Sequence, residues 1–253
     1  MRKQAAAQKL GRFAMPMIIC AGLLVGIAFF AVVGYRTAIV SQFFGVRTID
    51  VRGVDRSSIN DVKRIVAANT EKTGVWNADL PSIREKIEKL AFIKTAAVSM
   101  SLPVGIRVNI VERTPAAIAR LGSGDVLVDG EGVILAAATK PEPLLPFVLR
   151  GWNETKTEKA PAENLQRLKL YKKMLDEWRD IGIADRVKEV NLADLRDPSA
   201  IIEDSGRPVT ITLARENLGK SLKSAMDAVA GKGEKVKAVN AGGISPVLEY
   251  LGN

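Results

Sequence analysis

The sequence predicts an α+β protein: an N-terminal transmembrane helix, a small unit ordered strand-helix-helix-strand-strand, then a mixed β-rich unit with helices and a C-terminal edge strand. Three observations predict it. An uncharged run from Phe13 to Tyr35 comes first. Between residues 46 and 110 the apolar spacing moves from period two to helical, twice, and back to period two. From Pro115 onward, short alternating runs between glycine-containing turns dominate.

Residues 14–35 are long enough for a bilayer core, which needs about 20 apolar residues as helix. A secretory signal has an apolar region of only about 7–15 residues, and no small-x-small cleavage site ends this run. A retained anchor is the better reading. Arg2, Lys3, Lys9 and Arg12 precede it without an acid, so the positive-inside rule places the tail, residues 1–13, in the cytoplasm and residues 36–253 outside the inner membrane. Residues 36–43 are a linker.

The first folded unit is expected over 44–115. Ile49 and Val51 alternate with Asp50 and Arg52 in an opening strand. Ser57 or Ser58 caps a helix whose stripe is Ile59, Val62, Ile65 and Val66. After a break at Gly74–Asp79, the spacing of Leu80, Ile83, Ile87 and Leu90 gives a second helix, with Pro81 in its first turn. Ala96, Val98 and Met100 alternate in one strand, and Ile106, Val108 and Ile110 in the next. Leu102-Pro103-Val104-Gly105 joins them. Both helices belong on one sheet face.

The second unit is expected over 116–253. Strands are read at Ala116–Leu121, Val126–Asp129 and Val133–Ala137, with 139–161 as loop. A helix carrying Leu165, Leu168, Tyr171, Leu175 and Trp178 follows. Strands at Val187–Leu192, Ala200–Glu203 and Val209–Ala214, a helix over Asn217–Val229, and a hairpin of Lys235–Ala241 with Ile244–Leu251 complete the chain.

Composition narrows the chemistry. The 253 residues contain no histidine and one cysteine, so imidazole catalysis, an intrachain disulfide and a thiolate zinc site are excluded. Of the net charge of +9, four lie in the tail and the other five are spread over the rest of the chain, and no basic patch interleaved with aromatics points to nucleic acid. Asp125, Asp129 and Glu131 form an acidic cluster, but on glycine-bounded turns, where Asp serves the backbone. Glu112 and Arg113 read as a strand end before Thr114-Pro115. Gly219-Lys220-Ser221 opens a helix after a strand, yet a phosphate-binding loop needs glycine where Ala214 stands. Trp178 belongs to a core stripe; Trp152 is either an exposed contact or packed on its own unit. No catalytic residue, metal or cofactor is expected.

Several segments resemble the bacterial cell-division family FtsQ/DivIB. They are Ile49-Asp50-Val51-Arg52-Gly53, Leu90 to Val98, Pro103 to Val108, Val111-Glu112-Arg113-Thr114-Pro115-Ala116-Ala117, Val128-Asp129-Gly130-Glu131-Gly132-Val133, and Asn217-Leu218-Gly219-Lys220. Ala238-Val239-Asn240-Ala241 departs from the Asp-Leu-Arg common there. The resemblance implies a single-pass inner-membrane scaffold with a POTRA domain and a β domain, enriched at the septum. It implies partners of the FtsB and FtsL kind, no small-molecule substrate, and control of septal peptidoglycan synthesis without catalysis. The rival reading is a POTRA protein of outer-membrane assembly or secretion, which normally carries a long β-barrel.

The last strand, Ile244, Ser245, Pro246, Val247, Leu248, Glu249, Tyr250 and Leu251, is the expected partner site. As a terminal strand containing proline it suits a sheet edge, and an open edge accepts a partner strand through its backbone.

Overall fold

A computed structural model describes residues 19–34 and 45–251 of the chain. Residues 19–34 are helical. The expected span extends past this stretch at both ends, and the expected tail and linker lie outside the described residues. Among the described residues, no helix is long and apolar enough to cross a membrane. The chain divides into two compact units, one through Glu112 and one from Arg113.

The first unit runs β1 (Thr48–Arg52), α1 (Ile59–Thr70), α2 (Leu80–Glu88), β2 (Ile93–Ser101) and β3 (Gly105–Glu112). Its sheet order is β1-β3-β2, with β1 parallel and β2 antiparallel to β3. Both helices start where a side chain takes an otherwise unpaired amide. The Ser58 hydroxyl accepts from Asp61 N at 3.2 Å, and the Asp79 carboxylate from Ser82 N at 3.0 Å. Their apolar stripes then meet the sheet: Val62, Val66, Ile83 and Ile87 pack with Ile93, Ala96, Ile106, Val108 and Ile110.

Glu112, at the end of β3, closes this unit. Its carboxylate accepts from the backbone amides of Asp55 (3.1 Å), Arg56 (2.9 Å) and Ser57 (2.7 Å), holding the entry to α1. Burial pushes its pKa up, but hydrogen bonds from Ser57, Arg56 and Asp55 outweigh this and hold it below the ordinary 4.5. A depressed carboxylate contributes stability that is complete above the unfolded value and is lost as pH falls through the folded one. Denaturant titrations below pH 4.5 are therefore expected to show a shallower acid loss for Glu112→Gln than for the unaltered chain.

The second unit runs β4 (Pro115–Leu121), β5 (Gly124–Asp129), β6 (Ile134–Ala137), β7 (Val148–Arg150), α3 (Ala160–Asp180), β8 (Val187–Asn191), β9 (Ser199–Asp204), β10 (Arg207–Leu213), α4 (Leu218–Val229), β11 (Val236–Ala241) and β12 (Val247–Tyr250). The strands form one nine-stranded sheet, β12-β11-β10-β9-β8-β7-β4-β5-β6. Helix α4 lies against β10, β11 and α3, and α3 also reaches β4.

Two expectations are corrected. The stretch 139–161 is not all loop, because Val148–Arg150 pair in parallel with β4 on one side and β8 on the other. The terminal strand is shorter than Ile244–Leu251. Only Val247–Tyr250 join the ladder; the residues ahead of them form a turn in which Gly242 N bonds Asn240 Oδ1 at 3.0 Å.

The core centres on Phe147, just before β7. Its ring lies 4.8 Å from that of Tyr171 and 5.1 Å from that of Trp178, and all three are fully buried. The Tyr171 hydroxyl donates to Phe147 O at 2.8 Å, and burial pushes its pKa up. Gly151 ends β7 with φ +91°; a Cβ there would stand 2.3 Å from Ala193 N, so only glycine allows this approach.

Candidate functional site

Among the described residues, strand β12 is one of the two ends of the large sheet, with β6 at the other. Its inner neighbour is β11, in antiparallel register: Val236 faces Tyr250, Ala238 faces Glu249, Val239 faces Leu248 and Asn240 faces Val247. Leu251 N donates to Lys235 O at 2.8 Å, which fixes the phase of the ladder. In an antiparallel pair alternate residues turn both backbone groups the same way. Val247 and Glu249 therefore point theirs at β11, while Leu248 and Tyr250 direct N–H and C=O outward from the sheet.

The side chains around this edge are unusually apolar for exposed positions. Val247 is 68% exposed, Tyr250 57% and Leu251 42%, and Ile244, in the turn before the strand, is wholly exposed. Ser245 and Pro246 belong to that turn. Lys237 on β11 pairs with Glu249 at 3.3 Å, on the solvent side. The eight residues expected to form the site thus fall into a turn, a four-residue strand and Leu251 just beyond it.

The neighbouring Gly219-Lys220-Ser221 segment is engaged in structure. Gly219 N donates to the Glu177 carboxylate at 2.8 Å, so an acid from α3 already occupies the start of α4. The Ser221 hydroxyl accepts from Ala214 N at 3.0 Å and donates to Ala241 O at 2.9 Å. These bonds tie α4 to the ends of β10 and β11, and a phosphate here would face the Glu177 charge.

The acidic cluster is also structural. Asp129 is 4% exposed; one oxygen accepts from Glu131 N (2.9 Å) and Val133 N (2.8 Å), the other from Arg113 (2.5 Å). Arg113 also holds Glu131 at 2.9 Å, and these hydrogen bonds raise its pKa. Asp129→Ala is expected to cost about 2–3 kcal/mol in denaturant unfolding, because it orphans two amides and a half-buried guanidinium. Asp129→Asn, which keeps an acceptor for both amides, should cost less.

Sequence reasoning missed a charged ladder across four strands. Arg120 on β4 binds Asp125 on β5 through two bonds, of 2.8 and 3.0 Å, and Glu189 on β8 at 2.6 Å. Glu189 also accepts from Arg150 on β7 at 3.1 Å. Hydrogen bonding and the charge of Arg120 keep the Asp125 pKa low. Nothing local announces this network, whose members are up to 69 positions apart. Trp152 is half-buried, and a Cβ at Gly132 would meet it together with Leu165 and Leu168, so it packs on its own unit.

Comparison with known proteins gives a family match over the first unit. Residues 44–113 match the family described as POTRA domain, FtsQ-type. The cell division protein FtsQ of Koribacter versatilis is 25% identical over 67% of this chain and 49% of its own length. FtsQ of Novosphingobium aromaticivorans is 32% identical over 57% of this chain and 47% of its own. The cell division protein DivIB of Bacillus subtilis is 28% identical over 66% and 59%. The chain spans about half the length of the curated relatives it matches. The FtsQ-type POTRA match in the first unit and relatives that agree in name together support the FtsQ/DivIB family for this chain.

Proposed function

We propose that the chain is a non-catalytic scaffold of the division machinery that captures a strand of a bitopic partner, of the FtsB or FtsL kind, along β12. The observation that carries this reading is the free edge itself, with the backbone groups of Leu248 and Tyr250 turned outward amid exposed Val247, Tyr250 and Leu251. Such an edge binds by extending the sheet, and the flanking apolar side chains give the added strand something to cover.

In this reading residues 14–35 anchor the protein in the inner membrane with its N-terminus in the cytoplasm. The POTRA domain helps to bring it to the septum. Holding partners in the plane of one membrane raises their effective concentration, and so links early and late division proteins without any chemistry on peptidoglycan. No cofactor is required.

The test is a fluorescent protein fused to the N-terminus in dividing cells of the source bacterium, with affinity purification from the same cells. A late mid-cell band and recovery of small bitopic division proteins are expected. An even envelope signal would overturn the septal role, and recovery of outer-membrane assembly components would favour the rival reading.

A further inference from the structure

We propose that one end of the POTRA domain is a lipid-contact surface, seated in the headgroup layer of the bilayer. The proposal rests on the reading of residues 14–35 as a membrane anchor. Three segments meet at this end. Strand β1 starts here, and Arg47 N and Thr48 N both donate to Val104 O, at 2.8 and 3.3 Å, so the β2–β3 turn stands beside the point where the chain enters the domain. The register agrees, with Thr48 opposite Gly105. The cleft lined by Gly45, Val46, Ala67, Ala68 and Glu71 brings the end of α1 to the same place, and the α1–α2 connection follows directly from it.

This end carries large apolar side chains that are substantially exposed. Leu102 is 56% exposed, Trp76 46% and Met100 39%. No acidic residue occurs from Ser99 to Gly105, and exposed Arg47 lies alongside. An apolar knob, a tryptophan and a nearby cation suit the boundary between headgroups and acyl chains.

Chain length points to a bilayer as the occupant. Only residues 35–47 separate the described end of the N-terminal helix from β1. Fully extended they reach at most about 45 Å, and they arrive at this end of the domain, not at the end where Glu112 holds residues 55–57.

The test uses the full chain, with Cys20→Ser, in proteoliposomes. An environment-sensitive probe is attached at Leu102→Cys or, as control, at Ala91→Cys, an exposed position just before β2 at the other end. Lipids with brominated acyl chains quench only a probe that reaches them. A blue-shifted, quenched probe at 102 and an unquenched probe at 91 are expected. Adding Met100→Asp to the Leu102→Cys chain should diminish the quenching. Equal behaviour at the two positions, or quenching indifferent to Met100→Asp, would overturn the proposal. Flotation of the same samples separates the two readings: a chain that fails to float removes the anchor and this surface together, whereas a floating chain with a water-exposed probe at 102 removes the surface alone.

Discussion

A chain carrying Tyr250→Pro is expected to fold and reach the membrane, yet to lose capture of a partner strand. Tyr250 turns its N–H away from β11, so proline there breaks no bond within the sheet while removing a donor from the open edge. Loss of one hydrogen bond, together with the bulk of the ring facing an incoming strand, should weaken binding by about tenfold or more. Tyr250→Thr, which keeps the donor and a strand-favouring side chain, is the control and should retain most binding. Val247→Pro acts differently, because the N–H it removes points at β11 and its loss detaches β12 from the sheet. Co-purification at unaltered levels with Tyr250→Pro would remove strand addition from the mechanism.

The second large effect is on stability. Trp178→Ala should destabilise the second unit by about 3–5 kcal/mol, as expected when a fully buried aromatic side chain is cut back in a core that cannot collapse around the gap. Trp178 touches Phe147, which in turn holds Tyr171, so the vacancy opens under β7 in the middle of the sheet. Tyr171→Phe is a milder perturbation of the same cluster: it keeps the ring and deletes the bond to Phe147 O, for a cost of about 1 kcal/mol. Denaturant unfolding followed by tryptophan fluorescence and circular dichroism ranks the two. A Trp178→Ala chain as stable as the parent would contradict the assignment of this cluster as the core.

The POTRA domain was readable because each element announces itself locally. Ser58 and Asp79 stand at the helix starts, and the stripes Val62–Val66 and Ile83–Ile87 have helical spacing. Strands β2 and β3 alternate and are joined by a short turn. Strand β7 was not readable. The four residues between Pro146 and Gly151 carry no period of their own, and Val148–Arg150 become a strand only because β4 and β8 lie on either side. The free edge was legible from its terminal position and Pro246, but the outward phase of Leu248 and Tyr250 depends on a bond between Leu251 and Lys235 that no sequence pattern specifies. The ladder from Asp125 to Arg150 was hidden for the same reason, since it exists only across neighbouring strands.

The large sheet has two ends, β12 and β6. In polymer terms it is a bifunctional monomer: a copy could dock edge to edge at either terminus, and nothing in the hydrogen-bonding pattern would stop the chain from growing. Length is what terminates it. Each terminal strand has four residues, with Pro246 directly ahead of one and Pro141 four positions beyond the other, so a junction between copies would contain only a few rungs. A contact of that size forms and dissolves with local crowding. Self-stacking of the sheet is therefore a matter of how densely the protein is packed, and high-level overexpression is the condition under which linear aggregates would first accumulate.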